Sequence, residues 1–174
     1  VPKILTTQLI GKIQQIFERE NESIEYGARL LAQALVGEGD IYFYGEEELS
    51  AVYQQAVYGL DKMPGVKRLE GKRVPHLTSA DRVAIFARTP DEPSVLAIAK
   101  QLYERQIPFL AVCGRNGEGT ELEDFAHVYI SLHLEKGLVP MEGGNRTGYP
   151  HLLLALYVYH MLLLVLNEMM DEEG

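Results

Sequence analysis

Between residues 87 and 94 the chain reads Ala87-Arg88-Thr89-Pro90-Asp91-Glu92-Pro93-Ser94, a run that holds the residue types used to bind small anions. Arg88 offers a planar fork of donors to a phosphate or carboxylate, Thr89 and Ser94 offer a hydroxyl each, and a helix starting at Pro93 adds its unpaired backbone N–H groups. The same run also reads as a proline-framed turn, with Thr89 and Asp91 bonding their own backbone and Arg88 pairing with Asp91 or Glu92. Both readings stay open at the level of sequence. A second polar run, Gly45-Glu46-Glu47-Glu48-Leu49-Ser50, sets three carboxylates at the start of a helix. That placement suits the helix dipole and opposes a dianionic phosphate. Cys113 ends an apolar run, where a small apolar filler is expected in preference to a reactive thiol. His76, His127, His133 and His151 show neither i, i+4 pairing nor a Cys/His/Asp cluster, so no metal is expected. Gly114-Arg115-Asn116-Gly117-Glu118-Gly119 lacks the third glycine of a dinucleotide fingerprint, and no cofactor is implied.

These runs need elements to hold them. Apolar residues recur at Leu9, Ile13, Ile16 and Phe17, and again at Ile24, Gly27, Ala28, Leu31 and Leu35, which predicts two opening helices within 1–36. After the break at 37–40, strands are expected at 41–44, 66–69, 82–87, 109–113 and 128–132. Helices are expected after residue 45, at 94–106 and at 120–125, followed by an irregular stretch over 137–150 and a closing apolar helix from Pro150. Strands alternating with helices, in apolar runs too continuous for a one-sided sheet, give the class α/β. The expected architecture is a three-layer, doubly wound parallel sheet of about five strands in the order 2-1-3-4-5. It is read as one domain over 1–174, with opening helices 1–36, an α/β body 37–134, and a loop and closing helix 135–174. In such sheets ligands sit beyond the carboxyl ends of the strands where the order reverses, which sets the loops after Tyr44 and Ala87 side by side.

Composition narrows the function. With 174 residues and 16 basic against 25 acidic side chains, the net charge is −9. The basic residues are scattered, which argues against nucleic acid as a partner. The single cysteine forms no internal bridge and the first residues carry no secretory pattern, so a cytoplasmic location is expected. Leu152 to Leu166 holds no Asp, Glu, Lys or Arg, but it falls short of the roughly 20 residues of a membrane span and reads as a core or interface helix. Apolar faces on the first and last helices point to self-association as a homodimer or homotetramer.

The opening helices, Ile41-Tyr42-Phe43-Tyr44-Gly45, the Asp81-led strand to Thr89, Pro93-Ser94-Val95-Leu96 and Ile107 to Val112 together resemble a sugar isomerase (SIS) domain, nearest in size to phosphoheptose isomerase. In that family a Gly-Asn-Gly-Gly-Ser-like turn ends one strand, and a Ser-x-Ser-Gly-x-Ser turn after an Asp-led strand holds the substrate phosphate. Here Gly45 matches the first turn with Ser50 one residue late, and Thr89 keeps a hydroxyl in the second, which loses its glycine and two serines. The resemblance implies a phosphosugar ligand held by Gly45, Ser50, Arg88, Thr89 and Ser94, with Arg115 on a flexible rim. It also places His160 of the last helix where the family has a catalytic histidine, although a core histidine is the expectation for that apolar setting. The family's glutamate base has no counterpart after Glu48. The expected function is therefore binding of a phosphosugar or related anionic metabolite with weak or no isomerase activity. The alternative is an active aldose–ketose isomerase of phosphoheptose type.

Overall fold

The computed structural model describes residues 1–173, the side chains of Lys72 and Glu173 apart. Its continuous apolar runs become strands buried on both faces: β1 (Ile41–Gly45), β2 (Val66–Arg68), β3 (Arg82–Ala87), β4 (Phe109–Cys113) and β5 (Val128–Ser131). They pair in parallel in the order β2-β1-β3-β4-β5, as the alternation predicts. The register sets Gly45 beside Phe86 and Ala87 beside Cys113, so β1, β3 and β4 end level with one another.

Successive side chains alternate across the sheet. Phe43, Ala84, Phe86, Leu110, Val112 and Ile130 face one layer, built from α1 (Pro2–Val36), α2 (Ala51–Tyr58) and α5 (His151–Glu173). Val83, Ile85, Ala87, Phe109, Ala111 and Cys113 face the other, where α3 (Pro93–Glu104), α4 (Glu121–Phe125) and a 3-10 turn over Gly71–His76 close the core. Phe43 is central to the first layer, its ring 5.2 Å from Phe86 and edge-on to Tyr159 at 6.2 Å. At the amino ends of the strands the buried Asp81 carboxylate ties two starts together, accepting from the backbone N–H of Asp40 and of Thr78, each at 2.8 Å.

Three expectations change. One 35-residue helix opens the chain where two were expected, because residues 18–23 contain neither Gly nor Pro to break it, and Glu18, Arg19, Asn21 and Glu22 lie on its solvent face while Glu20 turns inward. The stretch 137–150 is partly ordered as an antiparallel pair, β6 (Val139–Pro140) with β7 (Arg146–Thr147). The closing helix runs 23 residues from His151, with Pro150 just before it, and is long and apolar enough to pass as a membrane span by length and composition. Its length therefore settles nothing. Leu154, Ala155, Val158, Tyr159, Leu162 and Leu166 of that helix are fully buried in the layer formed with α1 and α2.

Candidate functional site

The turns at the carboxyl ends of β1, β3 and β4 meet at the switch point of the sheet, the topological crevice of such folds, and close backbone approach builds it. Gly45 turns so sharply that a Cβ there would lie 2.2 Å from the Leu49 carbonyl oxygen. The turn is pinned by Glu46 N–H donating to the Phe86 carbonyl at 2.9 Å and Leu49 N–H donating to that of Glu46 at 3.0 Å. Across the crevice, a Cβ on Gly114 would sit 2.4 Å from the Arg88 carbonyl oxygen and 2.8 Å from Cδ2 and Nε2 of His151. Only glycine at 114 lets the β3 turn, the β4 turn and the start of α5 converge.

Three of the donors expected to hold an anion are taken by carboxylates. Arg88 Nε donates to Glu48 Oε1 at 2.7 Å, Ser94 Oγ donates to Glu46 Oε2 at 2.9 Å, and Arg115 pairs with Asp91. Tyr44 O–H adds a second bond to the same Glu46 oxygen at 2.7 Å, leaving Oε1 without a partner among the described residues. Burial, reinforced by the Glu46 bond, pushes the Tyr44 hydroxyl above its ordinary range, so it stays a donor. Thr89 behaves as in the proline-framed turn, its Oγ1 accepting the Asp91 N–H at 3.4 Å. Arg88 departs from that reading by pairing with Glu48 from the other loop, in place of Asp91 or Glu92. The β1 and β3 turns carry five carboxylates, Glu46, Glu47, Glu48, Asp91 and Glu92, of which Glu48, Glu47 and Glu92 act on Arg88 and Asp91 pairs with Arg115. Ser50 is exposed at the start of α2 and its hydroxyl joins none of these bonds.

His151 completes the crevice, and sequence reading passes over it. The side chain is buried at 9% exposure, its ring parallel to that of Tyr149 at 6.3 Å. Burial lowers its pKa below the usual histidine value and nearby Arg88 adds to this, while Glu48 and the Tyr149 backbone oppose it. The imidazole is therefore neutral near pH 7, with one nitrogen an acceptor. The available signal is positional: a histidine directly after the proline that opens the last helix. His160 lies nine residues further on, about 13 Å along the helix axis at 1.5 Å per residue, half-buried with its ring against Tyr159. It does not join the Arg88 turn. Cys113 lies just below the crevice floor, and burial raises its thiol to about 12, so it remains an inert thiol.

A five-stranded parallel sheet in the order 2-1-3-4-5, with three turns meeting at the switch point and α1 and α5 on one face, is a doubly wound α/β fold like that of sugar isomerase (SIS) domains. Solved structures with this arrangement include the Vibrio vulnificus NanR protein complexed with ManNAc-6P (TM-score 0.75, 13% identity, 98% of this chain and 63% of that one). The chain thus spans less than two thirds of NanR. Others are a putative phosphosugar isomerase involved in capsule formation from Bacteroides fragilis (TM-score 0.71, 12% identity, 95% and 90% covered) and phosphoheptose isomerase GmhA from Neisseria gonorrhoeae (TM-score 0.69, 15% identity, 90% and 92% covered). At these identities the likeness is one of fold. The chain itself belongs to the family described as domain of unknown function DUF2529, which matches residues 1–170. Within curated proteins it is 38% identical over 170 residues, 98% of both chains, to the "Uncharacterized protein YwjG" of Bacillus subtilis strain 168.

Proposed function

We propose that the chain is a cytoplasmic SIS-type binding protein for a phosphosugar or related anionic metabolite, with weak or no isomerase activity. The observation that carries this reading is the Arg88–Glu48 pair at the strand switch point. Both side chains are more than a third exposed, so their pairing contributes about 0.2–1 kcal/mol, less than the roughly 1.5–3 kcal/mol of a charge-assisted bond to a ligand phosphate. Arg88 is thus a donor kept oriented by a partner that a phosphate can replace. Glu46, held by two hydroxyls, presents its free oxygen to a sugar hydroxyl. The fold neighbours support the class of ligand, since NanR is a complex with ManNAc-6P and the other two are a putative phosphosugar isomerase and a phosphoheptose isomerase.

Weak turnover follows from the chemistry the crevice holds. Moving a proton between adjacent carbons needs a base on the substrate carbon and an acid on its carbonyl oxygen. Glu46 is held by two donors and Glu48 by an arginine, so neither is a free base. One observation favours the second reading, an active isomerase: neutral His151 lies next to Glu48 and supplies a proton carrier that His160, further along α5, does not.

A thermal-shift screen of phosphosugars, nucleotide sugars and sugar acids tests the proposal, followed by an isomerase assay on each hit. Stabilisation by a phosphosugar, lost in Arg88→Ala and unaccompanied by turnover, is expected. Rapid aldose–ketose interconversion abolished in His151→Ala selects the second reading, and equal stabilisation of wild type and Arg88→Ala refutes the assignment of this crevice. The exposed apolar side chains of Ile4, Ile10 and Phe17 on α1 and of Leu153 and Leu164 on α5 support a homodimer or homotetramer, and sedimentation as a 19.6 kDa monomer refutes that part.

A further inference from the structure

A second crevice lies between α1 and the chain that follows β5, and its charge is opposite to that of the first. Gln8, Lys12, Gln15 and Arg19 recur at i, i+4, i+7 and i+11, so they share one face of α1. That face is turned toward residues 133–138 and Arg146, across a cavity of about 390 Å³. Four cations line it, Lys12, Arg19, Lys136 and Arg146, against one carboxylate, Glu135, in a chain whose net charge is −9.

The cations are positioned, and they are short of partners. Arg146 is held by the β6–β7 pairing, opposite Pro140, and its Nε donates to the Gly137 carbonyl at 2.6 Å, with neither terminal nitrogen of the fork bonded among the described residues. Lys12 Nζ leans on Gln15 Oε1 at 3.3 Å. Its pKa is lowered chiefly by burial, with Lys136 adding to the lowering against Glu135. Arg19 and Lys136 have neither an ion pair nor a side-chain hydrogen bond among the described residues. Glu20, next to Arg19 in sequence, is already engaged, accepting from the Ser131 N–H at 2.9 Å and bonding Nε2 of His133, a lining residue, at 3.0 Å. Asn116 of the β4 turn also lines the cavity, its Oδ1 accepting the Glu118 N–H at 3.0 Å.

We propose that this crevice is a second binding site, for a small phosphate monoester, whose phosphate sits among Lys12, Arg19, Lys136 and the Arg146 fork. A bidentate fork with three further cations matches a dianion's charge and its several acceptor oxygens. The volume exceeds that of a bare phosphate and lies in the range of small-metabolite sites, which leaves room for the organic remainder. The inference stands apart from the reading of the Arg88 crevice and survives its failure.

Calorimetric titration of the full chain with inorganic phosphate, and separately with glucose 6-phosphate, tests it at ionic strength held constant with chloride. Arg19→Gln and Lys136→Gln are the variants, since both side chains are exposed and unpartnered and neither substitution disturbs packing; circular dichroism verifies the fold. Saturable binding that weakens about tenfold with each substitution and persists in Arg88→Ala is expected. Absence of saturable binding with both probes overturns the proposal. So does wild-type affinity in the Arg19→Gln, Lys136→Gln double variant, or binding lost in Arg88→Ala alone.

Discussion

Replacing Glu48 by glutamine is expected to tighten phosphosugar binding at the Arg88 crevice. Two contributions add. Release of Arg88 from its 2.7 Å pair, with side chains 47% and 37% exposed, restores about 0.2–1 kcal/mol. Removal of the Glu48 charge also relieves its repulsion of the bound phosphate. At about 6 Å that repulsion is roughly 0.7 kcal/mol per unit charge in water and about 2.8 at an effective dielectric of 20. An open crevice stays near the lower figure, so the sum is about 1–2 kcal/mol, or roughly 5- to 30-fold in affinity. Glu47→Gln is the control: it makes the same change in net charge, but Glu47 is exposed and holds no bond to Arg88. Isothermal titration calorimetry of a phosphosugar identified in the screen, against wild type and both variants, measures the difference. Equal affinities in Glu48→Gln and Glu47→Gln, or weaker binding in Glu48→Gln, refute the reasoning, because the local pair and not the overall charge is its premise.

Gly114→Ala is expected to destabilise the fold by about 1–3 kcal/mol, since the new Cβ meets backbone at 2.4 Å, and to displace His151; a drop of several degrees in Tm checks it, and an unchanged Tm contradicts it. Acidification should cost stability as the pH falls below about 6.5. His127 and His151 have lowered native pKa values, chiefly through burial, so the unfolded chain takes up protons that the native chain refuses. Urea unfolding at about pH 7.5 and about pH 5.5 measures this, and a flat profile or greater stability in acid counts against it. Cys113, with its thiol raised to about 12 by burial, should resist a thiol reagent in the native chain and react fully once unfolded. Native labelling at the unfolded rate would show that the floor of the crevice is open.

The strands are readable because burial on both faces makes their apolar runs continuous, and the turns because Gly and Pro punctuate them. Ile41 to Gly45, Arg82 to Ala87 and Phe109 to Cys113 emerge where composition alone puts them. The opening helix reads as two because its buried positions are sparse before Ile24. A gap in an apolar stripe looks the same whether the helix ends there or runs on through solvent. His151 escapes notice because its surroundings come from elements 37 and 63 residues away, at Gly114 and Arg88, and a lone histidine carries no local pattern.

Within the sequence alone lay the class of fold, the strand order and the turns that meet at the switch point, since each rests on local periodicity, chain reversal and the handedness of parallel connections. Tertiary structure decided what those loops present. Arg88 meets Glu48 across 40 residues, Ser94 meets Glu46 across 48, and Arg115 meets Asp91 across 24. All three pairings follow from the register that brings Gly45 level with Phe86 and Ala87 level with Cys113. The polar face of α1 likewise reads as a solvated stripe until the return of the chain after β5 lays Lys136 and Arg146 across from it. Charge in a sequence is only an inventory; which charges cancel and which are left to bind something is set by distances of a few ångströms that the packed sheet and its helices impose.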